Sequence, residues 1–106
     1  MGVAREDVHR WTATLAPLGD ISTKPMMGGA MLYRDGTLFG WVDPEGELTL
    51  KVAGDFADRL TEAGGGPAIL RFKGRESESR NYYRLPPEVD DADALAWARE
   101  ALSHLD

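Results

Sequence analysis

Side chains that could carry acid–base, nucleophilic or metal chemistry are few in this chain and widely scattered. There are two histidines, His9 and His104, and no cysteine. Neither histidine belongs to an H-x-x-x-H or H-E-x-x-H arrangement, the spacings that place two zinc ligands on one helix face. No serine lies in the G-x-S-x-G context of a nucleophile elbow; the serines are Ser22, Ser77, Ser79 and Ser103. We therefore expect no catalytic residue, no metal and no organic cofactor, and we expect that the chain is not an enzyme.

The most distinctive charged stretch is the segment 71–84. It carries five basic residues against Glu76 and Glu78, a local charge of +3, in a chain whose net charge is −6. The basic residues alternate along two predicted strands, so a hairpin would gather them on one face with Tyr82. Such a face is either a solvated sheet surface or a docking patch for an acidic partner or a phosphate backbone. Its members are Arg71, Lys73, Arg75, Arg80, Tyr82 and Arg84.

Direct binding to duplex DNA by this chain is not expected. A recognition helix needs basic or amide side chains that reach phosphates and base edges. The final predicted helix instead offers Arg99 against Asp91, Asp93 and Glu100. The negative net charge also opposes the phosphate neutralisation that drives binding to nucleic acid.

Hydrophobic periodicity and turn residues predict three helices and six strands. Helices are expected at about 6–15 and 54–63 and from Asp90 or Asp91 to about Leu105. Strands are expected at 21–26, 30–34, 37–42, 47–52, 68–73 and 80–85. The residue pairs 28–29 and 35–36 mark tight turns, and a charged loop precedes the last strand. This order predicts a single α+β domain over residues 1–106, with an antiparallel sheet of about five or six strands and three flanking helices.

The third predicted strand is apolar on both faces. Strict alternation places Leu38 and Val42 on one face and Phe39 and Trp41 on the other. A central strand of this kind needs cover on both sides. Helices supply one cover. We expect the other to be a second subunit packed on Phe39, Trp41 and Tyr33, which makes a homodimer, and the alternative is that the first helix covers this face.

Several short motifs follow one another along the chain in a specific order. They are Met26-Met27-Gly28-Gly29, Leu32-Tyr33-Arg34-Asp35-Gly36, Leu38-Phe39, Leu48-Thr49-Leu50-Lys51 and Tyr82-Tyr83-Arg84-Leu85-Pro86. Their order and spacing resemble the N-terminal domain of the TfoX (Sxy) family, over about residues 15–102. The matching positions are Met26, Gly28, Gly29, Tyr33, Gly36, Phe39, Lys51, Tyr82 and Pro86, whereas Met27 stands where the family's turn has an aromatic residue. The resemblance implies the fold, a transcription-related role through association, and the absence of known catalysis.

Composition indicates an intracellular protein. The lack of cysteine fits a reducing compartment, and residues 1–7 lack the apolar region of a signal peptide. No apolar run approaches the roughly 20 residues that span a bilayer. We expect a cytoplasmic regulatory or adaptor domain that acts through protein association, with an unknown protein partner and no membrane contact. Small-molecule binding near Phe39, Trp41 and Tyr33 and an uncharacterised enzymatic activity are the alternatives.

Overall fold

Three helices and six strands make up residues 2–105, the part of the chain that the computed structural model describes. The helices are α1 (Arg5–Leu15), α2 (Phe56–Glu62) and α3 (Asp91–Leu105), and a short 3-10 turn, Ala16–Leu18, follows α1. The strands are β1 (Ile21–Met26), β2 (Gly29–Arg34), β3 (Thr37–Val42), β4 (Leu48–Lys51), β5 (Gly66–Phe72) and β6 (Arg75–Arg84). They form one sheet in the order β1-β2-β3-β4-β6-β5, and every neighbouring pair is antiparallel. The predicted α+β fold is confirmed.

Three of the hairpins close with two residues that both have positive φ angles. These pairs are 27–28, 35–36 and 73–74, and a type I′ turn requires this conformation at both positions. The turn at 35–36 was predicted. The first turn lies one residue earlier than predicted, so Gly29 already belongs to β2. The predicted charged loop is absent, because the pair 73–74 closes the last hairpin and β6 begins at Arg75. Lysine is not a typical first residue of such a turn, so the sequence carried little signal for it.

The helices pack on one face of the sheet and form a common core with it. From the sheet, this core includes Leu32, Val42 and Leu50, all fully buried. The helices contribute Trp11, Leu15, Phe56, Leu60, Ala94, Ala98, Ala101 and Leu102. Because alanine is small, the alanine side of α3 can lie close to the sheet. Among the residues that the structure describes, no helix is both long enough and apolar enough to cross a bilayer.

A one-residue bulge in β3 places Phe39 on the helix side of the sheet. Leu32 pairs with Gly40, yet the next pair is Tyr33 with Leu38. Phe39 is therefore the extra residue, and its side chain is fully buried in the core beneath the helices. The expectation that the two aromatic residues of β3 share a face is wrong, because a bulge interrupts the period-two alternation of a strand. Leu38, and not Phe39, therefore lies on the face of the sheet away from the helices.

The face away from the helices, here called the open face, is partly covered by the chain's own last hairpin. In the pairing of β5 with β6, the register shifts by three residues between the pairs Pro67–Tyr83 and Ile69–Glu78. The three extra residues of β6 bend the hairpin, so that residues 69–78 fold back over the sheet. Ser79 lies buried at the bend. Its Oγ accepts hydrogen bonds from the backbone N–H groups of residues 81 and 82, at 3.2 and 3.0 Å. We call residues 69–78 the flap.

Trp41 lies beneath the flap and is only 3% exposed. Its Nε1 donates a hydrogen bond to the Met26 carbonyl oxygen at 3.0 Å. Its indole lies against Gly29, where any Cβ atom would collide with the ring. Thr49, its register partner, is fully buried and donates from Oγ1 to the Trp41 carbonyl at 2.7 Å. Trp41 is therefore covered by the flap of its own chain, and the expected cover by a second subunit or by the first helix is wrong for this residue. The exposed pair of aromatic rings from which we expected a homodimer is absent.

The turn between β3 and β4 is organised by a buried carboxylate. Asp43 is 8% exposed, and its Oδ1 accepts hydrogen bonds from the backbone N–H groups of Glu45 and Glu47, at 3.0 and 2.9 Å. In the same turn, the Gly46 carbonyl accepts a hydrogen bond from Trp11 Nε1 at 2.8 Å, which ties α1 to the sheet. Burial raises the pKa of Asp43, although the two backbone donors oppose this effect.

Replacing Asp43 with alanine should lower the free energy of unfolding by about 1–3 kcal/mol, because two backbone donors lose their acceptor. Asp43→Asn keeps an uncharged oxygen acceptor and should remain within about 1 kcal/mol of wild type at pH 7. The folded state of the wild type holds the Asp43 proton more tightly than the unfolded state, whose pKa is near 3.8. Wild-type stability should therefore fall relative to Asp43→Asn as the pH rises from that value through the higher folded-state pKa.

Urea unfolding of the three proteins at several pH values measures these differences. A wild-type stability that stays parallel to that of Asp43→Asn across the range would contradict the raised pKa. An alanine variant as stable as the asparagine variant would contradict the role of Oδ1 as an acceptor.

Candidate interaction surface

The structure does not bring the basic residues of segment 71–84 onto one face. Three of them lie in the flap, Arg80 lies in the bulge, and Arg84 lies beyond it in β6. Arg71 donates from Nε to Glu76 at 2.6 Å and from Nη1 to Glu45 at 2.7 Å. Arg84 donates from Nε to the Pro67 carbonyl at 3.2 Å. The bulge breaks the alternation along β6, so Tyr82 does not share a continuous basic stripe with the flap.

The tip of the flap presents an exposed aromatic ring. Phe72 is 66% exposed, the Nζ of Lys73 lies 5.5 Å from its ring centroid, and its register partner Arg75 is exposed. The flap is held to the turn between β3 and β4 by the ion pair of Arg71 with Glu45. Both side chains of that pair are more than half exposed, so solvent screening makes it a weak restraint.

A second aromatic and basic group lies on the part of the open face that remains accessible. Tyr82 stands directly opposite Lys51, and Lys51 shares its face with Thr49, two residues earlier. Tyr33 lies on the same face through its pairing with Leu38. All three side chains are half-buried. We call Tyr33, Lys51 and Tyr82 the tyrosine–lysine cluster.

The two phenols of this cluster lie close enough to influence each other. Burial raises the pKa of Tyr82, and the neighbouring Tyr33 raises it further. The Tyr82 hydroxyl therefore stays protonated at neutral pH and can donate a hydrogen bond. Beside Tyr33, the Nζ of Lys24 lies 5.7 Å from the ring centroid. The cluster and the neighbouring Lys24 thus offer rigid rings, phenol donors and two ammonium groups, which is chemistry suited to recognition.

Two concave features lie near the open face and its edge. A pocket of about 360 Å³ between the flap and the sheet is lined by Trp41, Met27, Glu45 and Leu70, among others. A wider groove of about 750 Å³ runs between α1 and β1. Of the three residues predicted to surround a small molecule, Trp41 lines the first pocket. Phe39 lies in the helix-side core, and Tyr33 belongs to the tyrosine–lysine cluster.

Six of the nine motif residues have a structural role, because they form a turn, the bulge in β3 or the end of a strand. They are Met26, Gly28, Gly29, Gly36, Phe39 and Pro86. The remaining motif residues are Tyr33, Lys51 and Tyr82, which make up the cluster. Lys51 was predicted only as a motif residue. The pairing of β4 with β6, which joins segments far apart in the chain, is what places it beside Tyr82.

The fold and this surface define a small α+β domain with one six-stranded antiparallel sheet, whose best-developed candidate site is an aromatic and basic patch. Within residues 2–105, no three His, Cys, Asp or Glu side chains are grouped so that they could hold a metal ion. The chain belongs to the TfoX N-terminal domain family, whose model matches residues 13–105. The resemblance drawn from the motifs is thereby confirmed. A search of curated proteins finds no significant match.

Proposed function

We propose that this domain is a non-catalytic regulatory or adaptor module that binds a partner protein through the tyrosine–lysine cluster. The observation that carries the proposal is the convergence of Tyr33, Lys51 and Tyr82 on the accessible part of the open face. Membership of the TfoX N-terminal domain family supports a transcription-related process. We place the role in the cytoplasm, with a protein rather than duplex DNA as the bound macromolecule.

The chemistry of the cluster favours a partner segment that presents carboxylates beside apolar groups. Tyrosines are enriched at the centres of interfaces because they bury a large area and keep one polar tip. The rings of Tyr33 and Tyr82 are already half-buried, so they lose little freedom on binding. Lys51 supplies a positive charge in a chain with net charge −6. An acidic partner is therefore repelled by the chain as a whole and attracted at the cluster, which favours docking at the cluster over the rest of the surface.

Photo-crosslinking from the cluster tests this proposal. With p-benzoylphenylalanine in place of Tyr33, irradiation of the native host cells should yield a discrete protein adduct. Lys51→Glu in the same protein should reduce that adduct by about tenfold or more, because it places like charges at the contact. Lys73→Glu makes the same charge change at the tip of the flap and should leave the adduct unchanged.

The same photo-crosslinker at Phe72 separates the two candidate surfaces. An adduct formed only from position 72, and lost with Lys73→Glu, would move the docking site to the flap and overturn the proposed surface. An adduct from position 33 that is insensitive to Lys51→Glu would also reject the cluster. Adducts from neither position would argue against association through the open face.

The alternative function, small-molecule binding, has the pocket beside Trp41 in its favour. Its walls combine apolar side chains with the Arg71–Glu45 pair, a combination typical of sites that orient a small polar ligand. The cluster carries the preferred proposal because Tyr33, Lys51 and Tyr82 are motif residues for which the fold gives no packing role in the helix-side core.

A further inference from the structure

Strand β1 forms an edge of the sheet, and half of its backbone groups point away from the sheet. The carbonyl of Asp20 accepts a hydrogen bond from the Asp35 N–H at 2.8 Å, which fixes the phase of the β1–β2 ladder. Because hydrogen-bonded pairs alternate in an antiparallel ladder, the backbone groups of Ile21, Thr23 and Pro25 point outward. Pro25 occupies an outward position where no ladder donor is needed. Ile21 and Thr23 each present an N–H and a carbonyl to the edge.

We propose that this edge binds a second copy of the chain, with β1 paired antiparallel to the partner's β1 about a two-fold axis at Ser22. In this register Ile21 lies opposite the partner's Thr23, and the two residues exchange both backbone hydrogen bonds. Symmetry repeats the exchange, which makes four hydrogen bonds. The pairing ends at Gly19, whose N–H is already bonded to the Ala16 carbonyl at 3.2 Å. It ends before Pro25 on the other side.

The side chains of β1 are self-complementary in this register. Asp20 lies opposite the partner's Lys24, and symmetry makes this pair twice. Directly opposite charges on neighbouring strands stabilise pairing, and like charges oppose it. Ser22 meets its own copy on the axis, where its small side chain is readily accommodated. On the helix side, Ile21 lies beside the partner's Thr23, a pair of β-branched residues that suits a sheet.

A shifted register lacks these advantages. An axis at Thr23 would place Asp20 opposite the partner's Met26, so the charge pairs would be lost. It would also place the Ile21 carbonyl opposite the partner's Pro25, which has no N–H to donate. Hydrogen bonding and charge therefore select the same register. A strand from an unrelated protein could satisfy the backbone groups, but it would not supply two reciprocal charge pairs.

The groove between α1 and β1 leaves room for the second copy. It runs beside the same edge, and its walls include Val8 and Thr12 from α1 and Ile21, Thr23 and Met26 from β1. The partner's helix-side residues on β1 would extend into this space. Met26 is 47% exposed at the end of the groove. The interface adds apolar contact to the backbone pairing, as stable strand addition requires.

Sedimentation equilibrium with charge-reversal variants tests the inference. The wild type should form a dimer whose dissociation constant rises about tenfold or more with Lys24→Asp, because two like-charge pairs replace two ion pairs. Adding Asp20→Lys to that variant reverses both charges and should restore the dissociation constant to within about threefold of wild type. Thr23→Pro removes an outward N–H that β2 does not use, so it should give a folded monomer. Lys73→Asp makes the same charge change at the tip of the flap, outside the proposed β1 pairing, and is the matched control.

Three results would overturn the inference. They are a mass of one chain even at millimolar concentration, a dimer that Lys24→Asp does not weaken, and a double variant that stays as weak as Lys24→Asp alone. If Thr23→Pro fails to fold, the charge-reversal series still decides the question. These measurements need no partner protein, so their outcome is independent of whether the tyrosine–lysine cluster is the docking surface.

Discussion

Phe39→Ala should lower the free energy of unfolding by about 3–5 kcal/mol, the usual range for removing a buried aromatic ring. The bulge in β3 turns this ring into the core formed with the helices, where it is fully buried. Its neighbour Leu38 lies half-buried on the open face, and Leu38→Ala should cost only about 1 kcal/mol. Urea denaturation of the two variants measures the contrast directly.

This pair of substitutions tests the register of β3 as well as its burial. Without the bulge, Leu38 would lie beneath the helices and Phe39 on the open face. Equal losses for the two variants, or a larger loss for Leu38→Ala, would therefore contradict the pairing of Tyr33 with Leu38.

Trp41→Ala should have a comparably large effect, about 3–5 kcal/mol. The indole lies between the sheet and the flap, where it lines the pocket described above, and its Nε1 donates to the Met26 carbonyl. Trp41→Phe keeps an aromatic ring and loses that hydrogen bond, so it should cost closer to about 1 kcal/mol. Thermal or urea unfolding gives the two values, and hydrogen exchange should show that flap amides lose more protection than those of β3.

The result also bears on how subunits associate. If Trp41 formed a subunit interface, its removal would change the mass of the particle and leave the stability of the folded subunit nearly unaltered. The buried position predicts the reverse, a less stable subunit with unchanged self-association. A Trp41→Ala protein that unfolds like the wild type would show that the flap does not pack on this ring.

The boundaries of the elements were predicted well where local chemistry determines them. The strands at 21–26 and 37–42 are found as predicted, because strong turn residues bound them, such as Gly28 after the first strand and Asp35-Gly36 before the second. The start of β6 was missed by five residues. Its hairpin closes through Lys73 with a positive φ of 51°, and lysine rarely signals that conformation. The sequence therefore predicts a loop for the second half of the flap, residues 74–78.

The face of the sheet on which each side chain lies was harder to predict, because one irregularity in a strand's register changes the face of the residues beyond it. Alternation correctly placed Val42 and Trp41 on opposite faces of the sheet. It failed at Phe39, the extra residue of the bulge, although the neighbouring Gly40 is a residue type that often marks a bulge within a strand. It failed again across residues 79–82, where the backbone bonds to Ser79 stabilise a bend. The predicted basic face needed regular alternation through that bend, so the structure separates Arg71 from Tyr82 and pairs Tyr82 with Lys51 instead.

Because the core needs α3, the sheet can form during synthesis before the helix that completes its cover has been made. The hairpins of β1 to β4 connect residues close in the chain, so they can pair soon after leaving the ribosome. The helix-side face that they create, with Leu32, Val42 and Leu50, has no complete cover until residues 91–105 are made. Until then the nascent chain exposes an apolar sheet face together with an open strand edge, the combination most prone to misassembly on crowded polysomes. Rapid translation of the segment between β4 and α3 would shorten that exposure.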